Sequence, residues 1–143
     1  MFKNLFIPLL SLASPAYADC YVPDSLNGLT IISVVDPLYS TINPNSGDMY
    51  EITYTEETYT AKVLNSNEPD YVGKYHYKRI GEINDGTGLF TGIEELPVEK
   101  PSHTILFKCM TNDSGIAVFT QLPGEHEEKL RQNTTKYNII SRR

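Results

Sequence analysis

From residue 29 to residue 122 the chain alternates apolar and polar residues with a period of two, and helical periodicity is almost absent. That pattern confines the fold to half-buried strands with one face in a core and the other in water. Tyr50, Ile52 and Tyr54 alternate with Glu51, Thr53 and Thr55. Beyond the short Glu56-Glu57 turn, Tyr59, Ala61 and Val63 alternate with Thr58, Thr60 and Lys62. This is the strongest hairpin in the sequence. Gly73 to Ile80 alternates again, with Tyr75 and Tyr77 on one face and Lys74, His76 and Lys78 on the other.

Further strands are expected at Leu29–Val35, at a short Leu89-Phe90-Thr91 stretch, at Thr104–Met110, at Ile116–Leu122 and at Tyr137–Ser141. Turn chemistry separates them: Asn43-Pro44-Asn45-Ser46-Gly47-Asp48, Asn84-Asp85-Gly86 and Asn112-Asp113-Ser114-Gly115. Residues 65–70 and 93–102 read as loops. From Pro123 the chain turns polar, and Glu125 with Lys129 and Glu127 with Arg131 have the four-residue spacing that supports a short helix. The expected fold is all-β, an antiparallel barrel or sandwich of about eight strands with one short C-terminal helix. Barrel closure is favoured because it removes sticky edges.

Residues 1–18, MFKNLFIPLLSLASPAYA, combine Lys3, an apolar run from Leu5 to Ala13 and the small-residue site Ala16-Tyr17-Ala18. This is the build of a signal peptide cleaved after Ala18, so residues 19–143 form the expected single domain, with a polar tail from about 124. The apolar run is short of the roughly 20 residues that span a bilayer, and Pro8 interrupts it. Asp19 before Cys20 argues against a lipid anchor, so no stable membrane anchor is expected. The expected destination is a bacterial periplasm or the medium. Cys20 and Cys109 both survive cleavage, and an oxidising compartment would pair them in the one intrachain bridge available.

Cleavage shifts the net charge from −6 to −7, divided between a body of about −9 over residues 19–124 and a tail of about +2. An acidic body argues against a nucleic-acid partner, which requires a basic stripe to displace counterions. No nucleophile elbow, phosphate loop or dinucleotide fingerprint is present. His76, His103 and His126 fall on different elements without ligand spacing, and His126 reads as part of a solvated acidic turn. No catalytic residues, metal site or cofactor are assigned, and the chain is read as a non-enzyme.

The run Gly73-x-Tyr75-x-Tyr77-x-x-x-Gly81, followed by Ile105-x-Phe107 and Ser114-Gly115, resembles patterns in small bacterial calycin-like proteins. Those include relatives of the lipocalins and of the MoaF type. The hairpin Gly47-Asp48-x-Tyr50-x-Ile52 is similar in placement. The resemblance covers about half the mature chain and implies a β-can with an inward pocket, but no catalytic motif. The lipocalin Gly-x-Trp has no counterpart: the chain lacks Trp, and Leu26-Asn27-Gly28 occupies that neighbourhood.

Two functions are consistent with this reading. The first is binding and neutralising a protein partner in the envelope, as an inhibitor or immunity protein does, the partner being a basic toxin or hydrolase steered by the acidic body. Its contacts would come from Glu56, Glu57 and the loops 65–72 and 93–102. The second is a carrier of a small apolar or amphipathic ligand inside the barrel. Several of Tyr50, Tyr54, Tyr59, Tyr75, Tyr77 and Phe107 would then line a cavity of at least ~300 Å³. A structural or adhesion subunit is the weaker third.

Overall fold

A computed structural model of the protein describes residues 19–82, 85–124 and 128–143. The expected signal peptide, Asn84 of the turn motif, and Glu125, His126 and Glu127 lie outside the described residues. Eight strands follow one another: β1 (Leu29–Val35), β2 (Met49–Tyr54), β3 (Thr58–Val63), β4 (Tyr71–Ile80), β5 (Thr87–Leu96), β6 (His103–Thr111), β7 (Ser114–Gln121) and β8 (Arg131–Arg142). Each pairs antiparallel with the next, and β1 pairs with β8, giving a closed up-and-down barrel rather than a sandwich. Among the described residues every strand is paired on both sides.

The alternation seen in the sequence becomes the inside and outside of the barrel. Ile31, Tyr54, Tyr59, Ala61, Phe90, Phe107, Ala117 and Tyr137 are buried in one core cluster. The neighbours in sequence of these residues, such as Lys62, Lys108 and Lys136, are exposed on the outer wall. Among the described residues, no helix is long and apolar enough to cross a membrane.

No C-terminal helix forms among the described residues: 128–130 are irregular, and the rest of the polar tail, Arg131–Arg142, is the barrel strand β8. Arg131 to Arg142 pairs with β7 on one side and β1 on the other. Acid–base pairs worth tenths of a kcal/mol each cannot compete with two ladders of backbone hydrogen bonds that also seal both remaining edges. The 65–70 loop lies where expected, between β3 and the start of β4 at Tyr71, whereas the 93–102 loop shortens because β5 runs on to Leu96.

The two ends of the barrel differ. At one end residues 19–28 cross the floor, burying Val22 and Leu26 against the core. The Cys20–Cys109 disulfide ties this strap to β6. Tyr77 donates its hydroxyl to the Pro23 carbonyl at 2.9 Å, and Arg79 pairs with Asp24 at 2.7 Å. The other end carries the 36–48, 64–70 and 97–102 connections and the start of β8.

Candidate ligand-binding cavity

Beneath that second end the barrel encloses a cavity of about 140 Å³. Its deep part is aromatic, because inward positions of β2, β3, β5 and β6 hold Tyr54, Tyr59, Phe90 and Phe107. Phe90 is the hub. Tyr59 and Tyr54 meet it edge-on at 5.7 and 6.4 Å, and Tyr75 stacks parallel behind it at 5.3 Å. Such arrangements suit the ring quadrupole and fix the wall in one packing. Burial pushes the phenols of Tyr50, Tyr54, Tyr59 and Tyr71 above their ordinary range and that of Tyr137 up to about 12. The tyrosines therefore present neutral walls.

Towards the mouth the lining becomes polar. Tyr50 donates to Asp48 Oδ2 at 3.0 Å and accepts from Asn45 Nδ2 at 2.8 Å. Arg131 reaches inward from the first position of β8. Its Nη1 donates to Gln121 Oε1 at 3.4 Å, its Nη2 donates to Asn45 Oδ1, and its guanidinium lies 5.9 Å over the Phe119 ring. Glu94 and Lys100 complete the charged lining.

His103 sits between the two zones. It is 5% exposed, and its ring lies 5.5 Å from Phe90 and 5.1 Å from Phe119, with Tyr59 edge-on at 6.1 Å. Burial, helped by the nearby Arg131 charge, lowers its pKa to about 4, so the imidazole is neutral at pH 7. Among the described residues, neither His103 Nδ1 nor Asn133 Oδ1 has a hydrogen-bond partner. Both residues line the cavity. Buried polar groups left in that condition cost roughly 1–3 kcal/mol each, which a bound polar group could recover.

Of the residues singled out from the sequence, Tyr50, Tyr54, Tyr59 and Phe107 line the cavity. Tyr75 and Tyr77 instead point to the closed end, where Tyr75 donates to the Thr55 carbonyl at 2.6 Å and Tyr77 holds the strap. Glu56 and Glu57 are exposed in the β2–β3 turn, also at the closed end. They stand opposite the 64–70 and 97–102 connections, so these three segments do not form one surface. His76 lies exposed on the outside of β4.

Sequence reasoning missed Tyr71, Glu94, Lys100, Phe119, Arg131 and Asn133. A signal for part of this set was present: Arg131, Asn133, Thr135 and Tyr137 alternate with exposed Gln132, Thr134 and Lys136. No known protein family, curated protein or solved structure matches the chain.

Proposed function

We propose that this protein is a non-catalytic binding protein of the bacterial envelope that holds a small molecule inside its barrel, as the calycin-like resemblance implies. The observation that carries the reading is the aromatic cavity with polar groups gathered at one end, the usual build of a small-molecule site. The bridge between Cys20 and Cys109 is consistent with an oxidising destination. The size of the cavity narrows the ligand. At about 140 Å³ it falls short of the ~300 Å³ expected of a carrier for drug-sized molecules. It is close to the ~150 Å³ apolar cavity that accepts benzene. The ligand is therefore about one ring in size.

Neutral one-ring compounds test this. Benzyl alcohol and toluene should shift the amide resonances of cavity residues such as Ala61 and Phe90 and raise the melting temperature. Ala117→Phe, which places a ring in the cavity from β7, should abolish both effects. Binding that persists unchanged in Ala117→Phe would put the site elsewhere, and the absence of any binding would refute the reading.

A specific observation also supports the protein-partner reading. Leu38 and Tyr39 are 77% and 73% exposed on the 36–48 connection, and Leu122 is 65% exposed after β7. All three lie at the cavity end, with exposed Glu68, Asp70 and Glu99 on the neighbouring connections. Exposed apolar residues and acids at the same end of the barrel fit a basic protein partner. Such a partner should be captured at low salt and lost with Leu38→Ser/Tyr39→Ser. Capture that ignores both the substitution and the salt concentration would exclude this surface.

A further inference from the structure

The polar groups of the cavity divide into those already engaged and those left over. Tyr50 donates to Asp48 and Tyr71 donates to Glu68, so both phenol protons are committed. The Arg131 guanidinium donates to Gln121 and Asn45, and Glu94, Lys100 and Arg131 each take part in further interactions. Lys100 and Arg131 therefore stand among three carboxylates, Glu94 on the lining and Asp48 and Glu68 bonded to its tyrosines. Such a mixed set does not call for an ionic ligand. The groups left over are neutral. His103, 5% exposed, has an unpartnered Nδ1, and Asn133 has an unpartnered Oδ1, among the described residues. An amide oxygen only accepts, so only a donor satisfies it, whereas the two tautomers of a neutral imidazole let Nδ1 either donate or accept.

We infer that the cavity selects a neutral one-ring compound bearing a hydrogen-bond donor, in its simplest form a phenol, with the donor at Asn133 and the ring among Tyr54, Tyr59, Phe90 and Phe107. This inference rests on the cavity reading above. A hydroxyl donates to an amide oxygen and still accepts from an imidazole N–H, so one group serves both orphaned atoms. A carboxylate has no proton to give and would set a second acceptor against Asn133 Oδ1. An ammonium has donors, but the Arg131 charge that helps keep His103 neutral would repel it as well. A phenol, with an ordinary pKa near ~10, enters uncharged at pH 7. The volume admits one ring and leaves no room for a long acyl chain.

Isothermal titration of the chain with phenol and toluene isolates the donor, because the two match in size and differ by a hydroxyl against a methyl. Phenol should bind about tenfold more tightly, the effect of one hydrogen bond to a buried group otherwise left unsatisfied. Benzoate, which only accepts, should bind more weakly than phenol. Asn133→Leu, close in volume, should erase the phenol preference and leave toluene binding in place. A second measurement needs no substitution at Asn133: the imidazole nitrogen resonances of His103 in the parent chain should move with phenol and hold nearly still with toluene. Asn133 also borders a groove beneath the 36–48 connection, so Ala117→Phe, which places its ring in the cavity, should abolish phenol binding. Equal binding of phenol and toluene, tighter binding of benzoate, or a phenol preference that survives Asn133→Leu would overturn the donor inference while leaving the cavity reading standing. Binding of none, or phenol binding unchanged in Ala117→Phe, would remove both.

Discussion

The ring of Tyr59 lies across Gly73 on the neighbouring strand, so that a Cβ built on the glycine would stand 2.8 Å from the tyrosine hydroxyl and from its Cε1. The two residues are directly paired between β3 and β4. The missing side chain is what lets Tyr59 lean over the strand and form part of the cavity wall. Gly73→Ala should therefore cost about 1–3 kcal/mol, as overpacking does. A urea midpoint unchanged from the parent would contradict this. In a Tyr59→Leu background only part of the cost should vanish, because the Ile93 carbonyl also crowds the position and cannot swing away.

The bridge between Cys20 and Cys109 closes a loop with a sequence separation of 89. On the chain-entropy account, its removal should cost about 4–5 kcal/mol. Cys20→Ala/Cys109→Ala, followed by denaturant titration, measures that loss. The same titration of the parent chain in reductant should approach the variant's curve. A parent curve indifferent to reductant, with the thiols shown to be free, would mean that noncovalent contacts alone hold the strap.

His103 makes stability depend on pH in a defined window. Its folded pKa of about 4 lies below the ordinary 6.5, so the unfolded chain binds a proton that the folded one resists. The contribution is fully present above pH 6.5 and is lost as pH falls through 4, amounting to about 3 kcal/mol over that interval. His103→Phe should flatten this part of the stability–pH curve. A variant that retains the full slope between pH 6.5 and 4 would assign the effect to other groups.

Leu26 is 2% exposed beneath the barrel and packs against the core cluster. Leu26→Ala should cost about 2–5 kcal/mol, the usual range for a buried leucine whose cavity does not collapse. It should also speed hydrogen exchange at Gly28, which donates to the Tyr54 carbonyl at 3.0 Å, more than at Phe119 near the mouth. Uniform acceleration across the barrel would show that the strap is not a separable unit.

The barrel was largely legible because period two is a direct record of burial. Tyr50, Ile52 and Tyr54 could only share a face, and the structure pairs them with Val63, Ala61 and Tyr59 as the hairpin pattern implied. The tail misled because acidic and basic residues at four-residue spacing carry a local helical preference, whereas β8 is held by partners about a hundred residues away in β1. Local sequence contains no trace of that demand. The cavity was harder still. Tyr75 and Tyr54 sit on the same inner surface, their rings 5.4 Å apart, yet one faces the cavity and the other the closed end. Alternation states which side of a strand a residue takes, but not its height along the barrel. Height depends on register, and so Arg131, Lys100 and Glu94 could not be brought together from sequence spacing.

The strap that floors the barrel gives the cavity a condition for completeness. Val22 and Leu26 sit between Cys20 and the first strand, so the residues that floor the barrel are anchored through a covalent bond that reducing surroundings would break. Without the bridge that end rests on noncovalent contacts: the buried Val22 and Leu26, the Tyr77–Pro23 hydrogen bond and the Arg79–Asp24 pair. Oxidation then makes that end permanent. Closure of the lower end thus depends on thiol oxidation as well as on the barrel itself.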